Sequence, residues 1–317
     1  MRKMKYSFSL GTTSCASYLA LWYWNEMCEM AGVCGYDGME IPFQAWSFNG
    51  GRGAAPICAE AIRSKYGSAG NYQRFLQECG IRDGLSGLHI TAQNILMTML
   101  DENVPREQFF DRTMALAQET IEVLAEAGSK HLIVSPSPMF GMTQGVFHGS
   151  DILDSFEDRM AETMIKISEA AAKAGIQVSV RNEFYGLFRG ELVDALMEKL
   201  PETVLYSPDL AQLHIAGADP VSMIQKYAGR LGCVKMDDTE FVDKTGCFAT
   251  PLPEAPQEGM QQRVYCTFGN GDVDKVGAYH ALVDAGYDDW MVMESKEAFE
   301  VEKTMMKMQA FQRKFFV

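Results

Sequence analysis

Three carboxylates in this chain stand where they could act on one small molecule. Val180-Arg181-Asn182-Glu183, Ser207-Pro208-Asp209 and Met293-Glu294 each close a short β-rich run, so Glu183, Asp209 and Glu294 fall at strand ends. Three acids facing one another in a confined space repel, and a divalent cation or a protonated partner relieves that repulsion. An all-oxygen donor set suits Mg2+ or Mn2+ better than zinc. Taken singly, each acid has a plainer reading as a cap on the following helix or a partner for Arg181 or Lys235. Three at the same end favour metal binding or catalysis.

The elements that must position these acids repeat along the chain. Short β-rich runs at 6–10, 38–41, 87–91, 131–135, 176–181, 204–207, 231–236 and 290–293 alternate with amphipathic stretches near 19–32, 55–80, 106–127, 152–174, 188–199, 219–229, 272–285 and 298–313. Eight strand–helix units imply a parallel sheet closed on itself. Ala127-Gly128, Ala174-Gly175 and Ala285-Gly286 read as helix ends with left-handed glycine caps, and Ser150 or Asp151 and Asp272 read as helix starts. The chain has no linker rich in Pro, Gly or Ser. The expected fold is therefore α/β, a single (β/α)8 TIM barrel over 1–317. Long βα loops at 42–54, 136–150 and 238–271 are expected at the active-site face, where such barrels carry their chemistry.

Composition narrows the function. The 28 Lys+Arg against 42 Asp+Glu give a net charge of −14, and 47% of residues are hydrophobic. That is a globular composition, and its acidity argues against a protein that binds by neutralising phosphates. No run nears the ~18 apolar residues of a membrane span, and Met1-Arg2-Lys3-Met4-Lys5 leads into polar residues without a signal-peptide core. A cytoplasmic protein is expected. The eight cysteines form no C-x-x-C pair, which fits reduced, packed thiols, and the 21 methionines read as packing.

Several motifs in order carry a resemblance. They are Gly35-Tyr36-Asp37-Gly38-Met39-Glu40-Ile41; Gly175-Ile176 leading to Asn182-Glu183; Ser207-Pro208-Asp209 to Ala216-Gly217-Ala218-Asp219-Pro220; Gly229-Arg230-Leu231 to Asp237-Asp238; Gly269-Asn270-Gly271-Asp272-Val273-Asp274; and Gly286-Tyr287-Asp288-Asp289-Trp290 to Glu294. Across nearly its whole length the chain resembles the sugar phosphate isomerase/epimerase superfamily, the barrels similar to xylose isomerase. The resemblance implies a divalent-metal site, Mn2+ (or Mg2+), with ligands matching Glu183, Asp209 and Glu294. Such a metal polarises a sugar carbonyl and hydroxyl while a base removes the adjacent proton. Two positions depart from the pattern. The family's strand-seven histidine falls in Cys233-Val234-Lys235-Met236-Asp237-Asp238, and its Asp-x-x-His reads Asp209-Leu210-Ala211-Gln212. A protonated lysine has no lone pair for a metal.

Lys235 is then either an electrostatic catalyst that stabilises an enolate oxygen or the partner of Glu183 or Glu294 in a salt bridge. Asp237 shares its face of a period-two strand and is a spare ligand. Gln212 could ligate through its oxygen or hold a sugar hydroxyl. His148, flanked by glycines in the loop after strand four, is an acid/base or substrate contact, or an exposed loop histidine. His89 ends strand three and could face the mouth. Glu40 is a substrate contact or a cap. Arg181 either holds a carboxylate or grips an anionic or hydroxyl-rich ligand. Phe43 and Trp46, with Phe48, could form a flat wall against a sugar face or an aromatic aglycone.

The expected activity is that of a divalent-metal-dependent carbohydrate enzyme of the keto-sugar isomerase/epimerase type, abstracting a proton next to a sugar carbonyl. The alternative is elimination from the same enolate. The chain is similar to the large subunits of C-glycoside deglycosidases, carbon–carbon lyases that act on 3-oxo C-glycosides with a small partner subunit. A third reading, supported by the missing histidine, is a non-catalytic sugar-binding barrel. The expected partner is a small-molecule sugar or glycoside, with a small protein subunit or a second copy of the chain left open, and neither nucleic acid nor membrane.

Overall fold

The structure, a computed structural model, describes residues 4–9, 21–43, 59–89, 107–137, 140–147, 151–249, 264–296, 298 and 300–316. Eight strands, β1 (Lys5–Ser9), β2 (Gly38–Phe43), β3 (Asp83–His89), β4 (His131–Ser135), β5 (Gln177–Val180), β6 (Leu205–Tyr206), β7 (Val234–Met236) and β8 (Trp290–Met293), pair in the order β6-β5-β4-β3-β2-β1-β8-β7. Every pairing is parallel. The two end strands meet through the bridges Tyr206↔Leu231 and Asp209↔Lys235. There Gly232 N donates to Tyr206 O at 2.7 Å and Lys235 N to Pro208 O at 2.8 Å. The chain is thus a closed TIM barrel.

The two longest described helices pack on the barrel because each offers it one apolar stripe. Gln108–Glu126 buries Phe109, Phe110, Thr113, Ala117, Ile121 and Leu124, and Ile152–Lys173 buries Ile152, Phe156, Met160, Met164, Ile167 and Ala171, spacings of three and four that put each set on one face. The helices end as expected, at Gly128 (φ 72°) and Gly175 (φ 70°), in a left-handed turn that a side chain would strain. The expected starts are only partly met. Asp151 holds the N-cap position of its helix without a side-chain bond, and the helix Lys275–Asp284 is capped by Asp274, which accepts from Gly277 N, rather than by Asp272.

Four elements differ from the sequence pattern. β3 begins at Asp83 instead of 87, because Asp-Gly-Leu-Ser-Gly carries little strand preference and is held by its neighbours. The stretch 55–80 is two helices, Ala59–Tyr66 and Ala69–Glu78, split at Gly67 and restarted by Ser68. The loop expected at 136–150 contains the helix Phe140–Val146. A further helix, Leu210–Ile215, is buried at five of its six positions, so it shows no amphipathic alternation to read.

The excursion after β7 is pinned at its return. Asp238 Oδ2 accepts from Gly269 N (2.8 Å) and Gly271 N (2.9 Å), and Asp238 Oδ1 faces Lys275 Nζ at 2.7 Å. A Cβ on Gly271 would lie 2.3 Å from Asp238 Oδ1, so the close approach requires glycine. No helix among the described residues is long and apolar enough to cross a membrane.

Candidate active site

At the C-terminal ends of the strands, buried charges form an alternating chain. Arg181, just past β5, donates from both Nη atoms to the two oxygens of Glu40 on β2 (2.9 and 2.5 Å). Lys235 on β7 lies 2.7 Å from Glu40 Oε1 and 3.1 Å from Glu294 Oε2, just past β8. Ser9 at the end of β1 donates to Glu294 Oε1 at 2.9 Å and to Glu40 Oε1 at 3.3 Å. Lys296 continues the chain, 3.3 Å from Glu294 Oε2, 3.5 Å from Asp237 Oδ2 and 3.6 Å from Asp209 Oδ2. Lys235 and Lys296 thus sit between acids and Arg181 closes the chain on Glu40, which is how so many charges coexist out of water.

The environment sets the protonation of each group. Burial alone would raise the Glu40 and Glu294 carboxyls, but their cations win. Arg181 and then Lys235 hold Glu40 well below the usual range, and Lys235 and Lys296 hold Glu294 down to about 2. Burial would discharge Lys296, yet Asp209, Glu294 and Asp237 keep it well above an ordinary lysine. Asp237 moves the other way, as burial and the neighbouring Asp209 push it well above the usual carboxylate range.

Asp209, Asp237 and Glu294 form the place a cation would enter. One oxygen of each lies within 4.8 Å of the others, and all three residues are buried. Asp209 Oδ2, Asp237 Oδ2 and Glu294 Oε2 accept no hydrogen bond. The remaining oxygens of the two aspartates are committed, Asp209 Oδ1 to Gln212 N (3.1 Å) and Asp237 Oδ1 to Ala211 N (2.7 Å), which fixes both carboxylates on the first turn of the helix after β6. Unspent, hard, converging oxygens fit a divalent cation such as Mg2+ or Mn2+. Lys296 Nζ stands over the same oxygens and 4.7 Å from the centroid of the Tyr265 ring.

The structure redistributes the expected roles. Glu183 lies outside the trio, where Ser135 donates to its Oε1 at 2.9 Å; Asp237, read as a spare, joins Asp209 and Glu294 instead. Lys235 pairs with Glu294 as one reading held, but its other partner is Glu40, not Glu183. Arg181 holds a carboxylate, and that carboxylate is Glu40, which lies within β2. Gln212 is occupied: its Oε1 accepts from Phe184 N (2.8 Å) and its Nε2 donates to Tyr265 OH (3.2 Å), so ligation would break a buried bond. His89 pairs in register with Ser135, and Phe43 ends β2 opposite Leu88. His148 and Trp46 lie outside the described residues. Lys296, Tyr265, Ser9 and Ser135 escaped the sequence reading, although Lys296 follows Glu294 by two and Ser9 and Ser135 each end a strand.

A family profile described as the xylose isomerase-like TIM barrel matches residues 29–314. An inosose dehydratase of Geobacillus thermodenitrificans is 24% identical over 196 residues, 59% of this chain and 64% of that protein. The chain spans less than two thirds of the length of the curated relatives it matches. Among solved structures, a D-allulose 3-epimerase from Methylomonas sp. is similar with a TM-score of 0.67 at 13% identity, over 99% of this chain and 98% of that one. The IOLI protein with a binding zinc atom is similar with a TM-score of 0.66 at 16% identity, over 99% of each chain. At these identities the likeness is one of fold.

Proposed function

The chain belongs to the xylose isomerase-like TIM-barrel family, and from that premise we propose that it is an enzyme that removes a proton beside the carbonyl of a polyhydroxylated ketone, a keto-sugar or an inosose. The observation that carries this reading is the buried trio Asp209, Asp237 and Glu294, with three converging oxygens that accept no hydrogen bond. Those residues would hold Mn2+ (or Mg2+). Such an ion supplies Lewis-acid polarisation of the carbonyl and its neighbouring hydroxyl.

The chain's own residues supply the rest. Lys235 and Lys296 keep Glu294 ionised, which suits it to ligation and makes it a weak base. We assign the proton to Glu183, the carboxylate outside the trio, oriented by the Ser135 hydroxyl. Arg181 and Lys235 fix Glu40, so the wall between β2 and β7 keeps its shape when substrate enters. His148 stays a second acid/base candidate.

From the resulting enolate, return of the proton on the other face gives an epimer, and loss of the β-substituent gives elimination. The inosose dehydratase relatives favour elimination. A C-glycoside deglycosidase would perform the same elimination with a carbon leaving group and a small partner subunit.

Incubation in D2O with an inosose, a panel of ketohexoses and a 3-oxo C-glycoside, each with Mn2+ and after chelation, tests the reading. Deuterium at the carbon beside the carbonyl, lost on chelation and in Asp209→Asn and Glu183→Gln, is the expected result; water loss, epimer or aglycone then names the outcome. Sugar binding without exchange in any substrate would leave a non-catalytic sugar-binding barrel and overturn the proposal.

A further inference from the structure

Lys296 holds the position that a metal ion would claim. Its ammonium lies 3.3–3.6 Å from one oxygen each of Glu294, Asp237 and Asp209, the same oxygens that accept no hydrogen bond. A lysine that served only as a structural tie would be expected to bond at least one of them. Instead the ammonium sits roughly equidistant from all three, held by charge alone. The trio side chains are at most 1% exposed, whereas the Lys296 side chain is 20% exposed. It follows Glu294 by two residues on the segment leaving β8, and the ring of Tyr265 lies 4.7 Å from its ammonium. A long, flexible and partly exposed side chain can withdraw where a fully buried one cannot.

A divalent ion bound by these oxygens would meet the ammonium as a like charge at close range, in surroundings that screen poorly. Both cannot hold the trio together. We propose that Lys296 is a tethered resident cation of this site, one that, with Lys235 beside Glu294, offsets the charge of the acids in the absence of metal and leaves them when a divalent ion binds. The lysine thereby sets the site's affinity for the ion. This inference rests on the metal reading given above and adds to it a competitor built into the chain.

Mn2+ binding, read by electron paramagnetic resonance of the free ion, tests it in the full chain and in Lys296→Met, Lys296→Gln and Lys296→Arg. The uncharged variants should bind Mn2+ about tenfold tighter or more, while Lys296→Arg, which keeps the charge, stays near the wild type. Adding Asp209→Asn to Lys296→Met should abolish the gain. In the wild type, saturating Mn2+ should raise modification of Lys296 by an amine-reactive reagent, read by peptide mass spectrometry, a measurement that needs no variant to fold. Equal or weaker Mn2+ binding in the uncharged variants, with binding still lost in Asp209→Asn, would overturn the competitor and leave the metal site standing. A gain that survives Asp209→Asn would place the ion elsewhere and overturn it too, as would unchanged Lys296 labelling. Absence of Mn2+ binding in every form would sink both this inference and the metal reading beneath it.

Discussion

Replacing Arg181 by methionine tests whether the charge chain is what fixes the mouth of the barrel. Arg181 is 1% exposed and Glu40 2%, and the guanidinium grips both carboxylate oxygens. Breaking a buried pair by removing one partner costs about 3–5 kcal/mol, because the other charge is stranded. Glu40 would still have Lys235 at 2.7 Å and Ser9 at 3.3 Å, which places the loss near the lower end, about 3 kcal/mol. Unfolding entropy of about 2.1 cal/mol/K per residue, over 317 residues, makes that a fall in Tm of about 4–5 °C. Glu40→Gln should cost a similar amount, since it strands the Arg181 guanidinium and leaves Lys235 with Glu294 alone. The double variant Arg181→Met with Glu40→Gln leaves no uncompensated guanidinium or carboxylate, so it should be no less stable than Glu40→Gln alone. Calorimetric melts of the four proteins measure the coupling directly. A fall below about 1 °C for Arg181→Met, or strict additivity of the two losses, would refute the chain as a stabilising unit.

Acid should unfold the protein through the same groups. Glu40 and Glu294 are depressed from 4.5, the latter to about 2, so their contribution is complete above pH 4.5 and is lost as pH falls toward 2. Asp237, raised from 3.8, has the opposite sign: it favours the fold most below pH 3.8 and less as pH rises through its folded value. Tm followed between pH 2 and 8 should show a shallower acid limb in Glu40→Gln than in the wild type, and superimposable limbs would argue against this origin. At Gly271 an added methyl would come within 2.3 Å of Asp238 Oδ1 and 2.6 Å of Thr239 O. Gly271→Ala should therefore cost about 1–3 kcal/mol by overpacking, read as a lower Tm, and an unchanged Tm would count against the close approach.

The sequence shows the barrel because its strands are short apolar runs between capped helices, a local signal. β4 and β8 fall at the expected residues, and β1, β2, β5, β6 and β7 within three. β3 fails because its Asp-Gly start is strand only by virtue of β2 and β4 on either side. The helix Leu210–Ile215 fails because its burial is nearly complete. Within the site, residue type plus strand end is enough to pick out Glu183, Asp209, Glu294, Lys235 and Arg181. Which acid meets which base is not local information. Arg181 finds Glu40 141 residues away, and only the register of β2, β5, β7 and β8 round the closed sheet brings those two, Lys235 and Glu294 together. Lys296 hides in Glu294-Ser295-Lys296-Glu297, which reads as an ordinary polar loop.

The lysine on β7 has a consequence that a missing ligand alone would not predict. Its ammonium lies between Glu40 Oε1 (2.7 Å) and Glu294 Oε2 (3.1 Å), so it ionises Glu294 from one edge of the trio and reaches neither aspartate's inward oxygen in an ion pair, whereas Lys296 reaches both. The donor that a histidine nitrogen would supply at that position has a substitute in Asp237, two residues on and of the same parity just past the strand, whose backbone-anchored carboxylate turns its other oxygen toward Asp209 and Glu294. A site that exchanges imidazole for carboxylate becomes wholly oxygen-lined, and hard cations with higher coordination gain over zinc. On the proposed metal reading the two positions divide the work: Lys235 on β7 would hold Glu294 in place, and Asp237, just past the strand, would supply the donor that the lysine cannot.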